Sequence, residues 1–574
     1  MELAESGAPW WQQAVTYQVY IRSFADGDGD GTGDLAGLRS RLGHLRELGV
    51  DAIWINPWYR SPLHDGGYDV ADYRDIGELY GTLDEAQLLI DEAHALGLKV
   101  LADLVPNHTS NEHAWFREAL DARPGDPARG RSLFRPGRGP DGSEPPNNWR
   151  AAFGGSAWTR VNERPDDGQW YLGTFTPHQP DFDHTHPDVK QHFADIFEFW
   201  FDRGVAGFRV DAVAPTGKHP DLPDQPPVGD DVGVLDITWV NPYTVFRPEG
   251  HDVWRDFRST LEDYGQRHPG RDLMMVAEAY AVRRPELIKE FTQPDQFHQM
   301  FSFDLMLSPW EKSSIELALR DPFEILDSTG VAPAWTLNNH DIQRVVTRLG
   351  KADAHQPESW TNNNLALSGA AIDLDLGARR ARAMTSLIFA LPGTLYLYQG
   401  EELGLPEVLD MPAEHREDPI FDLTDGAEIG RDGCRVPLPW TTDESTSFGF
   451  SEPAVDGSVA QPWLPQPEGW GAYALTTAED DESSMLELYR TASEARAKFA
   501  IVQPLDGEVL DLGSELVGVR RGDLVVVVNA TMEPVAVDLE HPELSIARPV
   551  FSSEPGEMHT PGVIPANATV WFIS

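Results

Sequence analysis

The chain holds a single cysteine, Cys434, among 574 residues. One thiol cannot close an intrachain disulfide, and no cysteine cluster exists to hold zinc. Long apolar runs are missing too: none approaches the about 18 residues needed to span a bilayer. The opening stretch MELAESGAPWWQQAV lacks a basic n-region and an apolar h-region, so no secretion signal is expected, and a soluble, cytoplasmic protein is. Positive charge is scarce. Lys and Arg number 45 against 93 Asp and Glu, a formal charge of −48. Such a field repels polyanions, so neither nucleic acid nor an anionic membrane is an expected partner. No G-x-S-x-G elbow and no Rossmann or P-loop glycine pattern occurs, which leaves no expected organic cofactor.

Hydrophobic residues make up 41% of the chain, ample for a core, and 18 Trp, 25 Phe and 14 Tyr are a rich aromatic supply. Core packing accounts for most of them; flat faces with polar handles also suit sugars. Short apolar runs alternate with amphipathic stretches: AVTYQVYI, LAGLRSRLGHLRELG, VDAIWINP, LDEAQLLIDEAHALG, LKVLADLVPNH. This rhythm predicts a parallel sheet covered by helices. It stops near residue 109, in a stretch rich in Pro, Gly and Asp too long for a simple loop, which is read as an inserted subdomain over 109–185. It resumes over 186–500, in VKQHFADIFEFWFDRG, VAGFRVDAV, LMMVAEAY, APAWTLNNHD and ARAMTSLIFALPGTLYLYQGEE. Strand-like segments over 501–574 predict a C-terminal antiparallel β-sandwich. The three Asn-x-Thr sequons, at Asn107, Asn529 and Asn567, are read as chance.

Polar groups fall at the ends of four β-like runs: Asn107 and His108, Arg209 and Asp211, Glu278, and His340 and Asp341. A core polar group or helix cap explains any one of them. Four in order predict a (β/α)₈ barrel, where strand C-termini converge on one face. Arg209 and Asp211 stand two apart, so on a strand they share a side. Paired carboxylates are the equipment for glycoside cleavage, one ionised and one protonated. The Arg209 cation is expected to lower Asp211. Glu278, in the apolar setting VAEAY, is expected to be raised by desolvation and neighbouring carboxylates. The run DGDGDGTGD, Asp26 to Asp34, alternates Asp with Gly, which gathers oxygens around one cation; Gly37 at the twelfth position rules against an EF-hand.

At these residues the sequence resembles the α-amylase superfamily of glycoside hydrolases (family 13), whose four signature regions are present in order as DLVPNH, GFRVDAVA, VAEAY and NNHD. The resemblance covers essentially the whole chain. It implies a (β/α)₈ barrel with a subdomain inserted after the third strand and a C-terminal β-domain. It further implies Asp211 as nucleophile, Glu278 as general acid/base and Asp341 as transition-state stabiliser, with Arg209, His108 and His340 as sugar-site partners. Within the family, QPDFD and HDGGYD are most similar to the bacterial α-glucosidase and oligo-1,6-glucosidase branch, with Phe182-Asp183 in place of the usual Leu-Asn. That branch implies Asp65 and Tyr68 as clamps on the non-reducing glucose and Arg431, from GRDGCRVPLPW, as a further contact. Phe153, Phe175 and Ala212 complete the implied substrate site. The Lys-His pair that many α-amylases carry shortly after the nucleophile is replaced by Val213-Ala214-Pro215, which favours a closed pocket over an open cleft. Ala212 stands where α-1,6-preferring members carry Val and maltase-like ones Thr.

The same branch implies a structural calcium, or magnesium, held by Asp26, Asp28, Asp30 and Asp34 side chains and the Thr32 carbonyl. The implied activity is a retaining, exo-acting α-glucosidase on short α-glucosides, as a monomer or homodimer. The rivals are a transglycosylase or isomerase of the same family and, more remotely, a non-catalytic relative of transporter heavy chains.

Overall fold

The computed structural model describes residues 9–162, 168–229, 238–351, 371–454, 457–537, 548–555 and 562–573. Eight strands close a barrel: β1 (Val15–Val19), β2 (Ala52–Ile55), β3 (Lys99–Leu104), β4 (Gly207–Val210), β5 (Met274–Ala277), β6 (Gln299–Ser302), β7 (Ala334–Thr336) and β8 (Thr394–Tyr398). Each pairs in parallel with its sequence neighbours, and β8 returns to β1. The expected α/β barrel is therefore present. β6, with sequence QMFS, is the strand that the sequence rhythm passes over.

Strand alternation sorts the side chains into two shells. Ile53, Ile55, Val100, Ala102, Leu104, Phe208, Val210, Met275 and Ala277 pack outward against the helices. Trp54, Leu101, Met274, Val276, Phe301, Ala334 and Tyr396 fill the barrel interior. Arg209 alternates with Phe208 and Val210, so parity alone sends it and Asp211 inward. Gly207 lets β4 lie close to β5, because a Cβ there would sit 2.2 Å from the Met274 carbonyl oxygen.

The helices begin and end on local signals. Helix α1 (Leu83–Ala95) starts at a capping box in which Thr82 and Glu85 satisfy each other's backbone N–H groups. Helix α2 (Pro187–Arg203) starts with Pro187 and ends at Gly204, whose φ of 108° is left-handed.

Between β3 and α2 the chain builds a three-stranded antiparallel sheet from Phe134–Pro136, Trp158–Arg160 and Gln169–Leu172. The loop after β4 comes back to this insertion: Asn147 donates to the Leu222 carbonyl, Trp149 to that of Pro223, and Asn148 to that of Gln225. At the C-terminus a five-stranded antiparallel sheet runs in the order Glu508–Asp511, Leu516–Arg521, Leu524–Asn529, Ala568–Ile573, Arg548–Ser552. Leu524, Val526 and Val528 face the main core and helix α3 (Leu374–Ala390), while Val525 and Val527 face a small two-stranded sheet. All three sequons fold inward, with Asn107, Asn529 and Asn567 at most 2% exposed.

Candidate active site

The four predicted strand ends meet at the C-terminal mouth of the barrel. A cavity of about 600 Å³ there is lined by Asp211, Glu278, Asp341, Asp65, Tyr68, His108, His340, Arg431, Phe153, Phe175 and Ala212, together with Ala214, Pro215, Trp239, Ala279 and Tyr280. Of the predicted catalytic and substrate residues, Arg209 alone does not line it. It is 1% exposed, sits below the pocket floor, and touches acids where a sugar contact was expected.

Arg209 organises that floor. Its Nη1 lies 2.6 Å from Asp211 Oδ1 and 2.9 Å from Asp103 Oδ1, and its Nη2 lies 3.7 Å from Glu278 Oε2. Asp211 and Glu278 end adjacent strands, β4 and β5, and one guanidinium spans the two. Ala212 adds a second link: its N–H donates to Glu278 Oε2 at 3.0 Å. To do so it adopts φ 47°, ψ 45°, a left-handed conformation that disfavours a branched side chain.

Burial pushes Asp211 well above the ordinary carboxylate value, and Glu278, Asp103 and Asp341 add to it, against the opposing effect of Arg209. The expected lowering is therefore not met. One cation shared among three buried acids does not compensate the loss of water around each. Burial also raises Glu278, with Asp341 and Asp103 adding to the effect, as expected. Asp341 shifts the other way: burial acts upward, but His340, Arg431 and Arg435 outweigh it and hold the carboxyl below its usual range. Desolvation lowers His108 to about 4 and drives His340 well below its ordinary value, so both imidazoles are neutral hydrogen-bonding groups at pH 7.

The far end of the pocket is closed by a second arginine. Arg431 reaches Asp418 through Nε at 2.5 Å, Asp65 through Nη2 at 2.8 Å and Asp341 through Nη1 at 3.0 Å, and lies over the Phe153 ring. Gln179 donates to Asp65 at 3.0 Å, tying the insertion to this end of the pocket. Tyr68 stacks on His340 with centroids 5.2 Å apart and planes 3° apart, and its hydroxyl donates to Asp103. Lys218, seven residues past Asp211, bridges Asp181 and Asn107 at 2.6 Å each.

Asp418, Arg435, Trp239 and Tyr280 belong to this site without having been singled out in the sequence. Arg435 has a faint signal, four residues after Arg431. Asp418 and Trp239 sit in irregular segments with no periodicity.

In the acidic loop, Asp26, Asp28 and Asp34 each place a carboxylate oxygen within 4.8 Å of the others. Asp30 lies outside that trio, its carboxylate accepting from the Thr32 N–H at 2.8 Å. Three of the five predicted ligands thus converge, and the predicted Asp30 side-chain contribution is corrected. Burial, with Asp28 and Asp26 adding, pushes Asp34 up to about 6.

A barrel with three carboxylates and two neutral imidazoles at its mouth is a glycosidase architecture, and the α-amylase catalytic-domain model matches residues 18–504. The chain belongs to the α-amylase family and is a glycoside hydrolase. Its place within the family is the bacterial α-glucosidase and oligo-1,6-glucosidase branch. It is 32% identical over 524 residues to the oligo-1,6-glucosidase of Parageobacillus thermoglucosidasius, covering 86% of this chain and 84% of that one. To the probable α-glucosidase of Rhizobium meliloti it is 35% identical over 506 residues, covering 85% and 82%. Among solved structures, an α-glucosyl transfer enzyme superposes with a TM-score of 0.82 at 31% identity, covering 99% of both chains. A trehalulose synthase variant superposes at 0.80 with 25% identity, over 99% of this chain and 100% of that one.

The raised carboxyls predict a pH profile. A carboxylate serves as nucleophile or base only when ionised, so activity is expected to fall as pH drops through the raised Asp211 pKa. The acid limb of kcat/KM for 4-nitrophenyl α-glucoside should lie above the ordinary aspartate value of 3.8. A limb at or below 3.8 contradicts the burial argument.

Proposed function

We propose that the protein is a retaining, exo-acting α-glucosidase that removes the terminal non-reducing glucose from short α-glucosides such as maltose, isomaltose, sucrose and small maltooligosaccharides. The observation that carries this reading is the single Arg209 guanidinium reaching both Asp211 and Glu278. Two carboxyls on adjacent strands within reach of one guanidinium support the short separation, about 5 to 5.5 Å, that retention requires and that leaves no room for an intervening water. Asp211 attacks the anomeric carbon while Glu278 gives its proton to the departing oxygen. The C1–O bond breaks and a β-glucosyl ester forms. Glu278 then takes a proton from water, whose oxygen bonds to C1 and releases Asp211. Asp341, kept ionised, stabilises the positive charge developing at the sugar. The Asp65–Arg431 pair closes the end of the pocket, which supports removal of one glucose at a time.

Hydrolysis of maltotriose followed by NMR tests this. Expected are single glucose units released first as the α-anomer. First release of β-glucose overturns retention, and two maltose units as the first products of maltotetraose, in place of glucose and maltotriose, overturn exo action.

The structural neighbours favour one second reading, glucosyl transfer or isomerisation, because an α-glucosyl transfer enzyme and a trehalulose synthase share this fold closely. Incubation with concentrated sucrose or maltose separates the two: new disaccharides as main products favour the second reading, glucose favours the first. The non-catalytic reading finds no support. All three carboxylates line the pocket, and among the described residues no helix is long and apolar enough to cross a membrane.

We further propose that Asp26, Asp28 and Asp34 hold a structural divalent cation, calcium or magnesium. Three convergent carboxylates on a glycine-rich loop fit an oxygen-seeking ion. Chelation should lower the melting temperature by roughly 2 °C or more, and calcium should restore it. A melting temperature unchanged by chelator and by calcium contradicts the site.

A further inference from the structure

Two buried amides, Gln18 and Asn56, lie behind the pocket and take no part in the chemistry described above. The cavity lining includes their partners Tyr68 and His340 but neither amide. On β1, Tyr17 and Val19 pack outward against the helices, so alternation turns Gln18 inward. Asn56 follows β2, two residues after the inward Trp54, and Asp103 belongs to β3. Three neighbouring strands thus bring Gln18, Asn56 and Asp103 together, each at most 2% exposed.

Their hydrogen bonds run in one direction. Arg209 and Trp54 can only donate, and they reach Asp103 Oδ1 at 2.9 Å and Oδ2 at 3.1 Å, so both carboxylate oxygens accept. The Tyr68 hydroxyl, 3.0 Å from Asp103 Oδ2, therefore donates to it. The hydroxyl oxygen is left to accept from Asn56 Nδ2 at 2.7 Å. That orients the Asn56 amide, whose Oδ1 accepts from Gln18 Nε2 at 2.9 Å. The same Gln18 nitrogen lies 2.8 Å from His340 Nδ1. An amide nitrogen donates and does not accept, so His340 Nδ1 is the acceptor.

A neutral imidazole that accepts at one nitrogen carries its proton on the other. We infer that Gln18 is a positioning residue that places the His340 proton on Nε2, the nitrogen 3.4 Å from Asp341 Oδ2, with the direction handed on from Asp103 through Tyr68 and Asn56. This rests on the α-glucosidase reading and adds to it a residue outside the pocket. The opposite tautomer would turn a lone pair toward the Asp341 carboxylate and remove a donor from the glucose end. Both changes are unfavourable in a buried site where charge develops. The charged groups around His340 are Asp341, Arg209, Arg431 and Arg435. None of the arginines replaces Gln18: Arg435 Nε donates to the His340 backbone carbonyl at 2.8 Å, Arg431 to Asp418, Asp65 and Asp341, and Arg209 to Asp211 and Asp103.

A neutron structure of the deuterium-exchanged enzyme at pH 7 tests this directly. Deuterium is expected on His340 Nε2 and on the Gln18 nitrogen that faces Nδ1; deuterium on His340 Nδ1 overturns the inference. Two variants read the consequence. Gln18→Met keeps the length without a donor and should lower kcat/KM for maltose by about tenfold. Gln18→Glu sets an acceptor against Nδ1, so His340 donates from Nε2 only while doubly protonated. On losing one proton it keeps the other on Nδ1. Its kcat/KM should therefore fall as pH rises from about 6 to about 8.5, by about tenfold more than in the unaltered enzyme. A residue that merely fills space would not move that profile. A folded Gln18→Glu with the unaltered profile, or a folded Gln18→Met with undiminished kcat/KM, overturns the inference; if neither folds, the neutron map decides. Absence of turnover by the unaltered enzyme on maltose and on 4-nitrophenyl α-glucoside would instead overturn the α-glucosidase reading, while the neutron map still decides where the proton sits.

Discussion

Asp211→Asn is expected to lower kcat on 4-nitrophenyl α-glucoside by about 10⁴-fold or more, with little loss of stability. The amide keeps the volume and an acceptor oxygen for Arg209, but it cannot form the glucosyl ester. Stability should hold, or rise, for a reason of sign. Burial raises the Asp211 pKa in the folded protein, so at neutral pH its charge opposes folding, and a neutral amide removes that penalty. Arg209 keeps Asp103 as a partner at 2.9 Å. Loss of activity at an unchanged melting temperature is therefore the expected pair of results. Azide added to Asp211→Gly should restore turnover and give the β-glucosyl azide, because the anion occupies the face the carboxylate left. Undiminished turnover by Asp211→Asn would remove it from the mechanism.

Arg431→Ala is expected to damage both catalysis and folding. Arg431 contacts the buried Asp418 and Asp65 and the half-buried Asp341, and its removal leaves Asp341 with Arg435 at 3.1 Å and His340. Breaking a buried ion pair from one side destabilises by about 3–5 kcal/mol. The Asp65 clamp loses its orientation and Asp341 is no longer held as far down, so kcat/KM should fall roughly 10³-fold and the acid limb should move to higher pH. Arg431→Lys should recover little, since one ammonium cannot reproduce a planar group that serves three carboxylates at once. A kcat/KM within threefold of the unaltered enzyme would show that Arg431 merely fills space.

Much of this site was readable from residue order. The parity that sends Arg209 and Asp211 inward is a property of any strand carrying GFRVD, and the four strand-end clusters needed only the barrel rule to converge. What failed were statements about balance. The sequence pairs Arg209 with Asp211 but does not reveal how completely the pair is buried, nor that Glu278 and Asp103 face the same guanidinium, so the net shift of Asp211 is upward where the pair alone predicts a lowering. The position of Arg209 in the motif says nothing of its depth, and the structure buries it beneath the residues that line the pocket. β6 escaped because its four residues, Gln299–Ser302, carry no alternation or turn signal of their own. The family resemblance implies Asp30 as a fourth side-chain ligand, whereas the loop turns its carboxylate onto the Thr32 N–H and apart from the other three.

The sequence by itself determined the barrel, the identity of the three carboxylates and the acidic loop, because each depends on local periodicity or on residue type at a strand end. Tertiary structure alone decided three other things. It decided which acids share which cation, that Arg209 lies beneath the pocket lining while Arg431 belongs to it, and how the loop after β4 reaches back to the insertion. Those depend on distances between segments far apart in the chain, and electrostatic balance and pocket chemistry are set by such distances.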